Sequence, residues 1–208
     1  MFFPKAAGYG NYTDRVCIEK CMPSKLEKEV DSLFRRNVLL IGAFEKDSGK
    51  TSLCEKIISE FKESGIYAVK ITVSRSDEQI ERYSITEETR VNPKKDTGRL
   101  KLAGAQKVLW LRCNSFSAKK AVTELFDMIP KDAMILCESN TARKYLEPAL
   151  FIMVRRDVAG SPKETAKSVE KYADIITISS GVNGRIVYNP DITDLLYVEN
   201  GKWKLEDR

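Results

Sequence analysis

The sequence predicts an α/β fold of three layers, with a mostly parallel sheet between helices. Three observations carry that reading. Short apolar runs bounded by charge or glycine recur along the chain, the pattern of strands buried on both faces. Segments with apolar residues at helical spacing alternate with those runs, as strand–helix–strand units require. The 208 residues are 42% hydrophobic and 31% charged, which is ordinary for a single globular domain.

The elements follow in order. The run NVLLIG at 37–42 reads as the first buried strand. Residues 51–64 place Leu53, Ile57, Ile58 and Phe61 on one helical face, and Gly65 ends that helix. Residues 66–73 form a second strand. Residues 74–95 are polar and show no sustained period, which predicts a long loop or excursion, functional or mobile. A short helix is expected at 96–105 and a third strand at 107–113. Residues 117–128 are helical, with Ala121, Val122, Leu125 and Phe126 together. Strands follow at 133–137, ending in Glu138, and at 149–154. A helix at 164–173 precedes a sixth strand at 174–179. Residues 185–205 carry turn signals at Asn189-Pro190 and Asn200-Gly201, so a small C-terminal β appendage at a sheet edge is expected. The domain reading is an N-terminal extension at 1–36, a core at 37–184, and the appendage at 185–208 belonging to the same domain.

Composition narrows the partners. The net charge of +5 is spread along the chain, a mild preference for anionic ligands. There is no zinc finger, no aromatic RNA-binding strand and no long basic run, so nucleic acid is not an expected partner. No apolar run approaches the roughly 20 residues that span a bilayer, so no membrane is expected. The five cysteines (Cys17, Cys21, Cys54, Cys113 and Cys137) are odd in number and follow no secretory signal, which points to a reducing cytoplasm. The chain has no histidine. Chemistry must therefore rest on carboxylates, Lys, Arg, hydroxyls, Cys or a metal.

Ser48-Gly49-Lys50-Thr51 lies between the first strand and the first helix, the setting of a phosphate loop. Gly49 lets the backbone approach phosphate, and successive N–H groups at a helix start bind anionic oxygen. Lys50 neutralises β and γ phosphates, and the Thr51 hydroxyl ligates Mg²⁺. Lys46, Asp47, Ser48, Gly49, Lys50, Thr51 and Ser52 are the candidate nucleotide-binding residues, and the fold becomes a P-loop NTPase. The first glycine of the usual pattern should fall at position 44, which is Phe44. Gly42, two residues earlier, is the candidate to replace it. Mg²⁺ also needs a carboxylate. Glu138 ends a buried strand at the carboxyl edge of the sheet, where ligands of such folds bind. Asp96 opens a helix and serves equally well as its N-cap. Lys50, Asp96 and Glu138 are the candidate catalytic residues, and Thr51 with Glu138 the candidate Mg²⁺ ligands.

At these residues the chain resembles the MobB-type proteins of molybdopterin guanine dinucleotide biosynthesis, relatives of dethiobiotin synthetase and the nickel-insertion GTPases. Four segments carry the resemblance, within residues 37–156: the phosphate loop, GIYAVK at 65–70, NPKKDTGR at 92–99 with AGA at 103–105, and ILCE at 135–138 followed by EPALFIMV. The third is the distinctive one. The resemblance implies that Lys50 and Thr51 hold phosphate and metal, that Asp96 lies near the γ-phosphate, and that Glu138 acts through Mg²⁺. Where that family carries histidines after its Val-Lys pair, this chain reads ITVSRS, and Ser139 replaces the glycine after Glu138. No Asn-Lys-x-Asp guanine signature is present, so ATP and GTP are both open as the nucleotide.

The remaining expectations concern partners. Arg75, Arg82, Arg90, Lys94, Lys95 and Arg99 follow one another along the polar segment, where they clamp an anionic second substrate or simply form a solvated face. Lys70 and Asn140 are further candidates for that substrate. Cys17 and Cys21, at i and i+4, make half of a metal site that a homodimer would complete. The plainer reading, an ordinary pair on a poorly packed segment, is preferred, and Cys54, Cys113 and Cys137 are expected in the core. Three functions follow: Mg²⁺-dependent purine nucleoside triphosphate binding and slow hydrolysis in cofactor assembly with a partner protein, an ATP-dependent small-molecule kinase or ligase, and a nucleotide-responsive adaptor or metallochaperone.

Overall fold

A computed structural model describes residues 33–74, 82–158 and 160–206. Ten strands and four short helices fall within them. The first strand, β1 (Leu33–Ala43), is followed by helix α1 (Lys50–Glu60), a 3₁₀ turn (Lys62–Ser64) and β2 (Tyr67–Ser74). Gly65 breaks the chain after the turn with φ 62°, a left-handed conformation that glycine adopts without steric cost. Then come β3 (Tyr83–Glu87), α2 (Asp96–Leu102), β4 (Lys107–Asn114), α3 (Ala118–Asp127) and β5 (Ile135–Glu138). A 3₁₀ turn (Thr141–Lys144) leads to β6 (Leu146–Arg156), α4 (Glu164–Lys167), β7 (Ile175–Val182), β8 (Arg185–Asn189), β9 (Leu196–Glu199) and β10 (Lys202–Leu205).

Eight strands form one sheet in the order β3-β4-β2-β5-β1-β6-β7-β8. The inner six are parallel, and β3 and β8 close the edges antiparallel. Side chains of β1 alternate between two apolar layers. Val38 and Leu40 join Val122, Leu125, Phe126 and Phe151 on the α3 side. Leu39 and Ile41 join Leu53, Ile57, Ile58 and Leu100 on the α1 and α2 side. The mostly parallel α/β architecture expected from the pattern is therefore present, with β1 at its centre.

Several boundaries differ from expectation, for identifiable reasons. β1 starts at Leu33, inside the segment read as an extension, because Arg35 is buried and donates to Phe126 O (3.3 Å). Its charge hid the strand. The polar stretch at 74–95 contains β3, a half-exposed edge strand too short to show its alternation. The helix expected at 164–173 is one turn of α4 and a separate 3₁₀ turn (Glu170–Tyr172), since Ala166 and Val169 are the only members of that stretch in the core. The sixth parallel strand, β7, runs on to Val182 and turns through Asn183 and Gly184, both at positive φ, the geometry of a two-residue hairpin. The tail then divides. β8 joins the main sheet, and β9–β10 forms its own hairpin through Asn200 and Gly201. Trp203 anchors that hairpin. Its indole donates to Ile135 O (3.1 Å) and its ring meets Phe61 edge-on at 5.3 Å.

Cys54, Cys113 and Cys137 are free and buried, as expected. Among the described residues no helix is long and apolar enough to cross a membrane.

Candidate functional site

Residues 44–49 connect the carboxyl end of β1 to α1. Phe44 still belongs to the sheet: its N–H donates to Val154 O (2.9 Å) and its side chain is fully buried. The chain leaves the sheet at Glu45 and re-enters regular structure at Lys50. Asp47 (φ 57°) and Gly49 (φ 79°) take left-handed conformations, and Gly49 precedes α1 with no side-chain cap. Among the described residues no hydrogen bond engages the backbone N–H groups of residues 45–52.

The carbonyls of this loop are turned the other way. Ser179 on β7 donates its hydroxyl to Ser48 O (2.8 Å), and Tyr188 on β8 donates to Gly49 O (2.8 Å). Lys163 donates its N–H to Phe44 O (2.8 Å) and its ammonium to Glu45 O (3.0 Å). With the carbonyls of Glu45, Ser48 and Gly49 engaged by side chains, the loop has its amides left over, the arrangement that makes an anion-binding nest.

These amides face a cavity of about 440 Å³ at the carboxyl edge of the sheet. Glu138 ends β5 in register with Ile41 of β1 and Lys70 of β2. Its side chain is 2% exposed. Three donors converge on one of its oxygens: Lys50 Nζ lies 3.1 Å from Oε1, Lys70 Nζ 3.6 Å, and the Thr51 hydroxyl donates to it at 3.2 Å. The other oxygen, Oε2, is buried without a hydrogen-bond partner among the described residues. Leaving a buried carboxylate oxygen unsatisfied costs about 1–3 kcal/mol, so the atom calls for a cation or donor beyond those of the described residues.

Lys70 also pairs with Asp96, the first residue of α2. Burial alone would raise the Asp96 carboxyl. The Lys70 hydrogen bond, with the charges of Lys70, Arg99 and Lys50, outweighs that effect and holds it below its ordinary value. Arg99, one turn along α2, forks onto both oxygens of Glu55 and donates to Ser52 (3.0 Å), fixing α2 against α1. Burial, followed by the nearby charge of Lys50, lowers the Lys163 ammonium from its usual value. Burial also pushes the Cys54 thiol up, helped by Glu138, so Cys54 is not a thiolate nucleophile at neutral pH.

The cavity thus gathers most of the expected residues: Lys46, Asp47, Ser48, Gly49, Lys50, Thr51, Ser52, Lys70, Asp96, Arg99 and Glu138 all line it. Six expected residues among those described do not: Gly42, Arg82, Arg90, Lys94, Lys95 and Asn140. Gly42 lies within β1, where an added Cβ would come within 2.9 Å of Asn140 Oδ1 and the Phe151 ring. It is a packing glycine. Asn140 is turned inward, with its Oδ1 accepting from Ala43 N (2.7 Å) and its Nδ2 donating to Ala43 O (2.8 Å). It locks the end of β1. Lys95 is an exposed residue ahead of α2, away from the cavity wall. Arg75, Cys17 and Cys21 lie outside the described residues.

Three lining residues were not expected: Glu45, Lys163 and Ile186. Ile186 packs on the loop, 3.2 Å from where a Cβ of Gly49 would sit. Among the described residues no group of three or more His, Cys, Asp or Glu could hold a metal ion unaided. No protein-family model, no curated protein and no solved structure matches this chain.

Proposed function

We propose that the chain binds a purine nucleoside triphosphate with Mg²⁺ at a P-loop formed by residues 45–52, and hydrolyses it slowly. One observation carries the proposal most. Glu138 holds a buried, unpartnered carboxylate oxygen beside the Thr51 hydroxyl and the Lys50 ammonium. Mg²⁺ fits such a donor set, because it is usually held by one or two carboxylates together with substrate phosphates rather than by an all-protein cage. Thr51 and Glu138 would hold it, and when bound it supplies charge neutralisation at the β and γ phosphates.

The chain's own residues do the rest. The amides of residues 45–52 would cradle the phosphates. Lys50 would exchange its contact with Glu138 for one with phosphate oxygen. Asp96, kept ionised by Lys70, would order the attacking water, whose oxygen would bond to the γ-phosphorus as the bond to the β-phosphate oxygen breaks, the nucleoside diphosphate leaving and the water's proton passing to a γ-phosphate oxygen. No histidine is available as a base, so turnover is slow. Service in assembling a molybdopterin-type cofactor, with a partner protein, is the narrower part of the proposal. It rests on the resemblance of the segment at 92–105, whose Asp96 and Arg99 line the cavity.

A kinase or ligase is the second reading. Lys46 and Lys163 line the cavity beside Lys50, and an anionic acceptor next to the triphosphate would meet them. Calorimetry of ATP and of GTP with Mg²⁺, on wild type and Lys50→Ala, tests the common core of both. Micromolar binding that disappears in the variant is expected. Undiminished binding by Lys50→Ala, or none by folded wild type, would overturn it. Nucleoside diphosphate release that depends on an added acid acceptor would select the second reading.

A further inference from the structure

The opposite, amino-terminal edge of the sheet holds a second cavity, of about 400 Å³, within the size range of small-molecule sites. Arg36 near the start of β1, Glu147 at the start of β6 and Asp174 just before β7 all line it. It is separated from the phosphate-loop cavity by roughly 20 Å, the rise of about six residues of β1. Its floor is apolar, from Pro148, Ala149, the Phe151 side chain and the buried Trp203.

Its cations are distinctive. Arg143 stacks its guanidinium 4.5 Å from the centre of the Tyr172 ring, and Arg36 lies 5.2 Å from that of Phe34. Lys202 stands at the rim. Among the described residues, none of the three makes an ion pair. By contrast Lys204, also in the wall, is paired with Glu199. Among the described residues, the one hydrogen bond from Arg143 is a long contact from Nη1 to Leu146 O (3.5 Å), and its Nε is buried with no partner. A buried guanidinium donor without an acceptor is costly, and stacking on an aromatic ring fixes its plane for bidentate contact with an oxyanion. The two carboxylates of the wall do not meet this need. Asp174 accepts the Phe151 N–H (2.7 Å), and Glu147 is exposed at the rim.

We propose that this amino-edge cavity is a second ligand site, for a small organic oxyanion with a flat apolar body. The oxyanion meets Arg143 and Lys202, and the flat body lies on the Pro148, Ala149 and Trp203 floor. The site is independent of the phosphate loop and does not rest on the nucleotide reading.

Trp203 provides the reporter. The chain has two tryptophans, so full-length Trp110→Phe leaves Trp203 as the single indole. The probe is 8-anilinonaphthalene-1-sulfonate, an aromatic sulfonate that accepts energy from tryptophan. One probe per chain should bind, with transfer from Trp203, and 2-naphthoate should displace it while uncharged 2-naphthol does not. Arg143→Gln should weaken binding tenfold or more. Lys202→Gln, at an exposed position that the fold does not need, should weaken it severalfold with an unchanged melting temperature. Lys50→Ala and added Mg²⁺-ATP should leave it unaltered. Absence of transfer from Trp203, equal competition by 2-naphthol, or undiminished binding in both Arg143→Gln and Lys202→Gln would overturn the proposal.

Discussion

Lys50 Nζ lies 3.1 Å from Glu138 Oε1, on the same oxygen that accepts the Thr51 hydroxyl, while Glu138 Oε2 has no partner among the described residues. The carboxylate is thus engaged on one side and open on the other. If the open side takes Mg²⁺, Glu138→Gln should bind nucleotide about tenfold or more weakly in excess Mg²⁺. The stronger expectation is that chelating the metal makes no further difference in the variant. Calorimetry with and without a chelator reads both. A variant that retains the full Mg²⁺ effect would show that Glu138 is not the metal's ligand.

Tyr188 offers a test of the loop without touching the cavity's charges. Its hydroxyl donates to Gly49 O (2.8 Å), while its ring packs in the core. Tyr188→Phe keeps the ring and removes one hydrogen bond, worth about 1 kcal/mol. Nucleotide affinity should fall roughly fivefold, the same energy expressed as a binding ratio. The fall should be equal for triphosphate and diphosphate, because the whole loop loosens. An unchanged dissociation constant for both would show that the loop keeps its shape without the β8 tether.

The pair of Lys70 and Asp96 sets a pH dependence. The Asp96 carboxyl is depressed below its ordinary value of 3.8. A carboxyl with a depressed folded pKa stabilises the fold above its unfolded pKa, and this stabilisation is lost as the pH falls through the folded value. The stability difference between wild type and Asp96→Asn should therefore be constant from neutrality to about pH 4 and close below it. The Asp96 side chain is 45% exposed, so solvent screening keeps the difference small. Melting temperatures from pH 3 to 7 measure it. A difference that widens on acidification would contradict the assignment.

What could be read from the sequence divides along local lines. Glu138 is legible because an apolar run ending in one acid places that acid at a strand end, and parallel register then sets it beside Lys70 and Ile41. Gly49-Lys50-Thr51 is legible because strand, loop and helix are contiguous. Lys163 is not, since its place over the loop depends on its N–H reaching Phe44 O across 119 residues. Gly42 misleads for the opposite reason. Its spacing suits a loop glycine, but the chain stays in the sheet through Phe44, so Gly42 packs beneath Asn140 and Phe151 instead. β3 and the buried Arg35 escape notice because edge strands and buried arginines look like solvated loop.

Phe44 is the departure that most separates this loop from the usual pattern, and the structure accounts for it. Its N–H and C=O are both engaged, by Val154 O and Lys163 N, and its ring is fully buried under the Arg155 guanidinium at 3.8 Å. A glycine here would gain no conformational use, since the left-handed positions of the loop fall later, at Asp47 and Gly49. Phe44→Gly should therefore cost about 3–5 kcal/mol, the range for removing a buried aromatic ring. Nucleotide affinity per folded molecule should not improve. Chemical denaturation gives the first quantity, and calorimetry at a temperature where the variant stays folded gives the second. A variant that bound ATP or GTP more tightly than wild type would mean that Phe44 obstructs the phosphate site, and the loop would then have to begin one residue earlier than the hydrogen bonds place it.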